Sequence, residues 1–259
     1  MIFILHRVSS KPSDSMVDVV NNVDAFAAMA ILAFFTGLGI ISVTAYKNKF
    51  YLSDVRKSIF ISVLPIIIGG KVLYYLTSGN SVISFESIFF ESGFVFYGGL
   101  IGAIIGFLIS SEILKINCND LLCCFASAIP VMQSIGRIGC YFNGCCYGKE
   151  YYGLGAIPHG DIMVFPTQFT ESILCALLAI ILITIEFRYR FAVYCFSYGA
   201  IRFVIEFLRG DEIRGGWLFL STSQWISIGF IVLGIYLINR LKTSNQCKES
   251  IDNLIDTKD

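Results

Sequence analysis

Four polar residues at helical spacing carry the strongest chemical signal in this sequence. Tyr198, Arg202, Glu206 and Arg209 stand at i, i+4, i+8 and i+11, which puts all four on one helix face. The segment that holds them, residues 191–208, is otherwise mostly apolar. A charge at bilayer depth costs at least about 2.5–3.5 kcal/mol, and pairing between Arg202 and Glu206 offsets part of it. One reading is a structural ion pair that locks a helix bundle. The other is a cationic pocket for a lipid phosphate, because the planar arginine fork grips phosphate through two bonds at once.

A second constellation fills residues 136–148, Gly-Arg-Ile-Gly-Cys-Tyr-Phe-Asn-Gly-Cys-Cys-Tyr-Gly. Its glycines Gly136, Gly139, Gly144 and Gly148 permit tight turns and close approach of a ligand to the backbone. Arg137 adds another cation, and Asn143 offers both donors and an acceptor. Cys140, Cys145 and Cys146 add three thiols. A glycine-kinked helix end with inert thiols would need neither Arg137 nor Asn143. The thiols could bind zinc or cycle as a disulfide. However, the adjacent pair Cys145-Cys146 does not match zinc-knuckle spacing, and His159 is the only histidine near it in sequence. No metal ligand set is therefore assigned, and nothing in the chain calls for a cofactor.

Weaker signals flank these two. Gly98, Gly102 and Gly106 recur every four residues after Tyr97, a small-residue stripe that lets two helices pack closely. Tyr97 sits where it could hydrogen-bond a substrate or join an interfacial aromatic belt. In Pro166-Thr167-Gln168, followed by Glu171, Thr167 is the expected cap of a helix, and Glu171 suits the positive end of its dipole. Lys71 either snorkels to the interface or adds a cation to the pocket.

The elements that must position these groups are membrane helices. The chain has 259 residues, 56% of them hydrophobic and 15% charged, with mean hydropathy +0.73. Soluble domains carry about 25% charged residues, and a spanning helix needs about 20 apolar ones. Seven segments qualify: residues 25–46, 58–77, 95–114, 121–138, 169–187, 191–208 and 224–241. The reading is an all-α polytopic membrane protein, one integral membrane domain over residues 1–242 with a mobile polar tail at 243–259. Lys47, Lys49, Arg56, Lys57, Lys115, Arg188, Arg190, Arg240 and Lys242 gather at one side, which makes it cytoplasmic and the N-terminus external. Residues 1–8 are too short for a cleaved leader, so the first span is expected to target the chain. Residues 78–93 are expected to lie on the outer surface as an amphipathic arm. The cysteines show no disulfide framework, and a net charge of +0 gives nucleic acid no purchase.

Taken together, the motifs resemble the prolipoprotein diacylglyceryl transferase family of bacteria. Residues 136–148 look like that family's Gly-Arg-x-Gly signature, and residues 198–209 like its second arginine motif. Pro166-Thr167-Gln168 resembles its Pro-Ser-Gln segment, Tyr97-Gly98-Gly99 stands where it has His-Gly-Gly, and Gly69-Gly70-Lys71 resembles its Gly-x-Arg element. The resemblance implies transfer of a diacylglyceryl group from phosphatidylglycerol to the lipobox cysteine of a prolipoprotein, in the bacterial plasma membrane. It implies that Arg137 and Arg202 are catalytic, with Tyr97 and Cys140 at catalytic positions. It further implies that Asn143, Gly98, Gly99, Gly139, Gly148, Tyr198, Glu206, Arg209, Gln168 and Lys71 bind substrate. The partners are then phosphatidylglycerol, other membrane lipid and the signal-peptide segment of the acceptor. This chain departs from the family in having Tyr97 for histidine, Cys140 for asparagine, Cys145 for glutamate and Lys71 for arginine. Two other readings remain: a membrane thiol oxidoreductase using Cys140, Cys145 and Cys146, and a non-catalytic phospholipid-binding protein.

Overall fold

Long apolar runs need every backbone polar group satisfied inside the segment, and helices do this. In a computed structural model, described for residues 2–3, 16–78, 94–210, 216–217 and 219–256, eight α-helices hold most of the described residues. They are α1 (Met16–Lys47), α2 (Leu52–Ser78), α3 (Phe96–Leu114), α4 (Cys118–Ala126), α5 (Ile129–Phe142), α6 (Thr167–Thr184), α7 (Arg190–Leu208) and α8 (Thr222–Asp256). A 3-10 turn, Phe187–Tyr189, joins α6 to α7. Seven stretches are long and apolar enough to cross a membrane: Ala25–Lys47, Leu52–Leu76, Tyr97–Leu114, Cys118–Phe142, Thr167–Thr184, Phe187–Leu208 and Thr222–Ser244. The seven expected spans are thus all present. The backbone of the tail continues α8 to Asp256. The arm expected at 78–93 lies almost wholly outside the described residues.

The fourth span departs from the expected single helix. It breaks at Ser127 and Ala128, and α5 restarts with Pro130 in its first turn. Proline has no N–H to give and fits the first turn, where that donor has no helical partner. The Ser127 hydroxyl bonds the Cys123 carbonyl, and the Ala128 N–H bonds the Phe125 carbonyl at 2.9 Å. Backbone irregularity at this depth is tolerated where protein covers it, and Ser127, Ala128 and Pro130 are all buried.

The helices pack in two connected groups. Helices α1, α5, α6, α7 and α8 lie side by side in that order, and α2 lies against α3. The α2–α3 crossing is close because of the glycine stripe. A Cβ at Gly98 would stand 2.2 Å from the Gly69 carbonyl oxygen, and one at Gly102 would stand 2.1 Å from that of Pro65. One core joins Tyr97, Leu100, Cys123, Cys175, Leu178, Tyr194, Tyr198 and Phe230. A second joins Ile41, Val55, Leu121, Phe107 and Phe125, the last two rings stacked 4.1 Å apart. Outward from these cores, Phe35, Phe60, Ile113, Ile173, Ile180, Val204 and Tyr236 are exposed. A water-soluble protein rarely exposes so wide an apolar surface, whereas lipid covers it without cost.

Short strand pairs close one end of the bundle. β1 (Ile2–Phe3) pairs with β2 (Phe94–Val95) just before α3. β3 (Ile157–His159) and β4 (Ile162–Val164) form a hairpin between α5 and α6, turning through Gly160 at φ +65°. β5 (Gly216–Trp217) pairs with β6 (Leu220–Ser221) between α7 and α8. Periods of two cannot be seen in strands of two or three residues, so the sequence patterning does not reveal them.

Candidate active site

Three helices deliver the charged groups to one place. α5 brings Arg137, α6 brings Glu171, and α7 brings Arg202 and Glu206. Glu171 is the hinge of the network. One of its oxygens accepts from Arg137 Nη2 at 2.6 Å, and the other lies 3.7 Å from Arg202 Nη1. Arg202 Nη2 also donates to Glu206 one helical turn on. Arg137, Arg202 and Glu171 expose 4%, 1% and 2% of their surface. Charges so deep require partners, and each guanidinium has one.

A third buried cation stands near this network. Arg209 is buried just beyond the end of α7, within electrostatic reach of Glu171. Arg202 Nη1 has no hydrogen-bond partner among the described residues, and neither has the buried amide of Gln133, one turn before Arg137 on α5. Native buried polar groups almost always find partners. A buried guanidinium with an unmet N–H is what an anion site presents before its ligand arrives.

Tyrosines line the same region. Tyr97 is buried at the start of α3, its hydroxyl 3.1 Å from Ser227 Oγ on α8. Tyr198 is stacked on Tyr194 with ring centres 5.6 Å apart. Tyr97 and Tyr198 both lie within electrostatic reach of Arg202 and Glu171. The structure thus brings Tyr97, Tyr198, Arg202, Glu206 and Arg137 into one neighbourhood.

The glycine-rich run forms the wall at the end of α5. Asn143 terminates that helix. Gly148 forms an isolated bridge to Arg209, and the Gly210 N–H bonds the Tyr147 carbonyl at 3.1 Å. A Cβ on Gly148 would stand 2.4 Å from the Phe165 carbonyl oxygen. Gly148 thus seats Arg209 by letting three chain segments approach. Gln168 donates to the Cys145 carbonyl at 2.9 Å, and Thr167 donates to the Cys146 carbonyl at 2.6 Å. An open cleft of about 430 Å³, lined by Tyr141, Phe142, Tyr147, Pro158, His159 and Gln168 among others, adjoins this wall.

Cys145 and Cys146 lie beyond the spans. Hydrogen bonds from the neighbouring Cys140 and Cys145 thiols, then the charges of Arg209 and Arg137, hold Cys146 well below the ordinary thiol range. Hydrogen bonds with Cys140 and Cys146 push the Cys145 thiol up.

One expectation needs correction. Thr167 does not cap α6; Pro166 occupies that position without a side-chain bond, and the Thr167 hydroxyl turns to the loop instead. Glu171 stands in the second turn of α6, and both arginines converge on its carboxylate. Gly98 faces α2, and Gly139 faces α1, where a Cβ would stand 3.1 Å from that of Met29. Both serve helix approach. Gly99 is buried beside Tyr97, and Lys71 is half-buried on α2. Gln133 and Tyr194 were not singled out from sequence. Their spacing of four residues from Arg137 and Tyr198 was the available signal.

Comparison with known proteins places this geometry. Residues 16–240 match the family model described as prolipoprotein diacylglyceryl transferase. A Clostridium perfringens protein named phosphatidylglycerol–prolipoprotein diacylglyceryl transferase 2 is 33% identical over 239 residues, covering 83% of this chain and 93% of that one. Proteins named phosphatidylglycerol–prolipoprotein diacylglyceryl transferase from Clostridium tetani and Methylococcus capsulatus are each 29% identical. They cover 83% and 72% of this chain, and 91% and 77% of their own lengths. With seven apolar spans in the same matched region, this chain belongs to the prolipoprotein diacylglyceryl transferase family.

Proposed function

We propose that this chain transfers a diacylglyceryl group from phosphatidylglycerol to the lipobox cysteine of a prolipoprotein, in the plasma membrane of a bacterium. The observation that carries the proposal is the buried, unmet N–H of Arg202 beside Glu171. Arg137 and Arg202 hold the lipid phosphate, and the unmet Nη1 of Arg202 is the donor that reaches it. As the C–O bond to phosphate breaks, negative charge grows on the departing group. Fixed donors in a water-poor site stabilise such charge without reorganising. The acceptor sulfur forms the new C–S bond, glycerol phosphate leaves with the electron pair, and the thiol proton is balanced by the protonated phosphate monoester released. Tyr97, held by Ser227, orients the glyceryl portion.

The loop end of the bundle, with Asn143, Gly148, Gln168 and the aromatic cleft, faces outward and receives the signal-peptide segment. The Lys- and Arg-rich ends of α1, α2 and α8 face the cytoplasm. Residues 1–242 act as one membrane domain. The test is complementation of a strain depleted of its own transferase. Wild type should restore the gel shift of lipidated lipoproteins and Arg202→Ala should not. Restoration by both, or by neither at equal expression, would overturn the assignment.

A further inference from the structure

Cysteine in a helical core is ordinarily a small apolar filler. Cys123, Cys124, Cys175 and Cys195 fit that description, each buried within α4, α6 or α7. Cys140, Cys145 and Cys146 do not. Their sulfur atoms all lie within 4.8 Å of one another. Among the described residues no other set of three cysteine, histidine or carboxylate groups converges in this way.

The backbone holds this convergence in place. The Cys145 N–H bonds the Cys140 carbonyl at 3.2 Å as α5 ends. The chain then turns through Gly144 at φ +63° and Cys146 at φ +66°. A left-handed conformation is uncommon for a residue with a side chain, and here it turns the Cys146 thiol back toward Cys140. The two carbonyls that follow are clamped by Gln168 and Thr167 from α6. Cys140 and Cys146 are buried and Cys145 is half-buried, so the group has one accessible edge.

We propose that Cys140, Cys145 and Cys146 form a three-thiolate site for one zinc ion. Zinc–sulfur bonds of about 2.3 Å put tetrahedral ligands about 3.8 Å apart, so the sulfurs need to close by about an ångström at most. Binding releases the thiol protons, and three thiolates around a divalent ion leave a net charge of minus one. Arg137, one turn before Cys140 on the same helix, faces that charge. A monovalent soft ion such as Cu(I) would leave twice the negative charge, so the divalent ion fits these surroundings better. Three protein ligands leave the fourth position to water or an incoming thiol. The adjacent Cys145-Cys146 pair does not read as a zinc motif in sequence; the left-handed turn is what lets neighbours in the chain share one ion.

The test uses the full chain purified in detergent, fully reduced, then freed of metal and reductant. Titration with Cd(II), a spectroscopic substitute for zinc, should give a sulfur-to-metal charge-transfer band that saturates at one equivalent. Zn(II) should abolish the band and should shield Cys145 from alkylation. Cys140→Ser and Cys145→Ser should each weaken binding at least tenfold, whereas Cys175→Ser should not. Cys145 is half-buried, so its variant tests the site even if Cys140→Ser fails to fold. No band in the wild type, a band kept in Cys145→Ser, or uptake of Cu(I) without Zn(II) would overturn the proposal.

Discussion

Replacing Glu171 by glutamine separates two roles that the structure assigns to one carboxylate. Glutamine keeps the shape and removes the charge that Arg137 and Arg202 share, at 2.6 and 3.7 Å. Glu171 is 2% exposed, so water cannot replace what is lost. Breaking a buried pair by removing one partner costs about 3–5 kcal/mol, and Glu171→Gln is expected to lose stability on that scale. The same change should strengthen binding of an anionic headgroup. At an effective dielectric near 20, a unit charge about 6 Å from a bound phosphate is worth about 3 kcal/mol. Removing it should lower the apparent dissociation constant for phosphatidylglycerol by about a hundredfold. Denaturant titration in micelles measures the first effect, and lipid titration of transfer rate measures the second. Glu186→Gln is the control, because its pair with Arg188 spans 3.4 Å with the glutamate 61% exposed, where pairs are worth about 0–1 kcal/mol. Equal stability of the two variants, or weaker phosphatidylglycerol binding by Glu171→Gln, would refute the bridging role.

Arg202→Lys keeps the charge but cannot span Glu171 and Glu206 together. Its transfer rate should fall at least tenfold, and a near-wild-type rate would show that charge alone suffices. Tyr97→Phe loses the bond to Ser227, worth about 0.5–1.5 kcal/mol. It should lower kcat more than it lowers stability, and an unchanged kcat would remove Tyr97 from the site. Gly102→Val places a side chain where a Cβ alone would stand 2.1 Å from the Pro65 carbonyl oxygen. The α2–α3 contact should open, with a loss exceeding the usual 1–3 kcal/mol for overpacking; a thermal transition within two degrees of wild type would contradict it.

The spans were legible because lipid imposes a length and a composition that any reader of the chain can recognise. Arg202 and Glu206 were legible because charge is rare in such runs and their spacing matches one helix turn. Glu171 was not. Its neighbours Pro166 and Thr167 read locally as a helix start, and only the approach of α5 and α7 shows that its partners lie on other helices. The break at Ser127 and Ala128 was hidden for the opposite reason, since residues 121–138 stay apolar across it. Pro130 was the one clue. The three thiols stood out in the sequence, but their convergence did not, because ligand spacing rules assume regular backbone and Cys146 adopts a left-handed one.

Central to this account is that buried arginines hold a lipid phosphate while a thiol displaces it. The direct measurement incubates the purified protein with phosphatidylglycerol and a lipobox peptide, counting thioether product and glycerol phosphate together. The account predicts both at a one-to-one ratio for wild type, and neither for a folded Arg202→Ala. Glycerol phosphate without thioether, or equal yields from the variant, would contradict it.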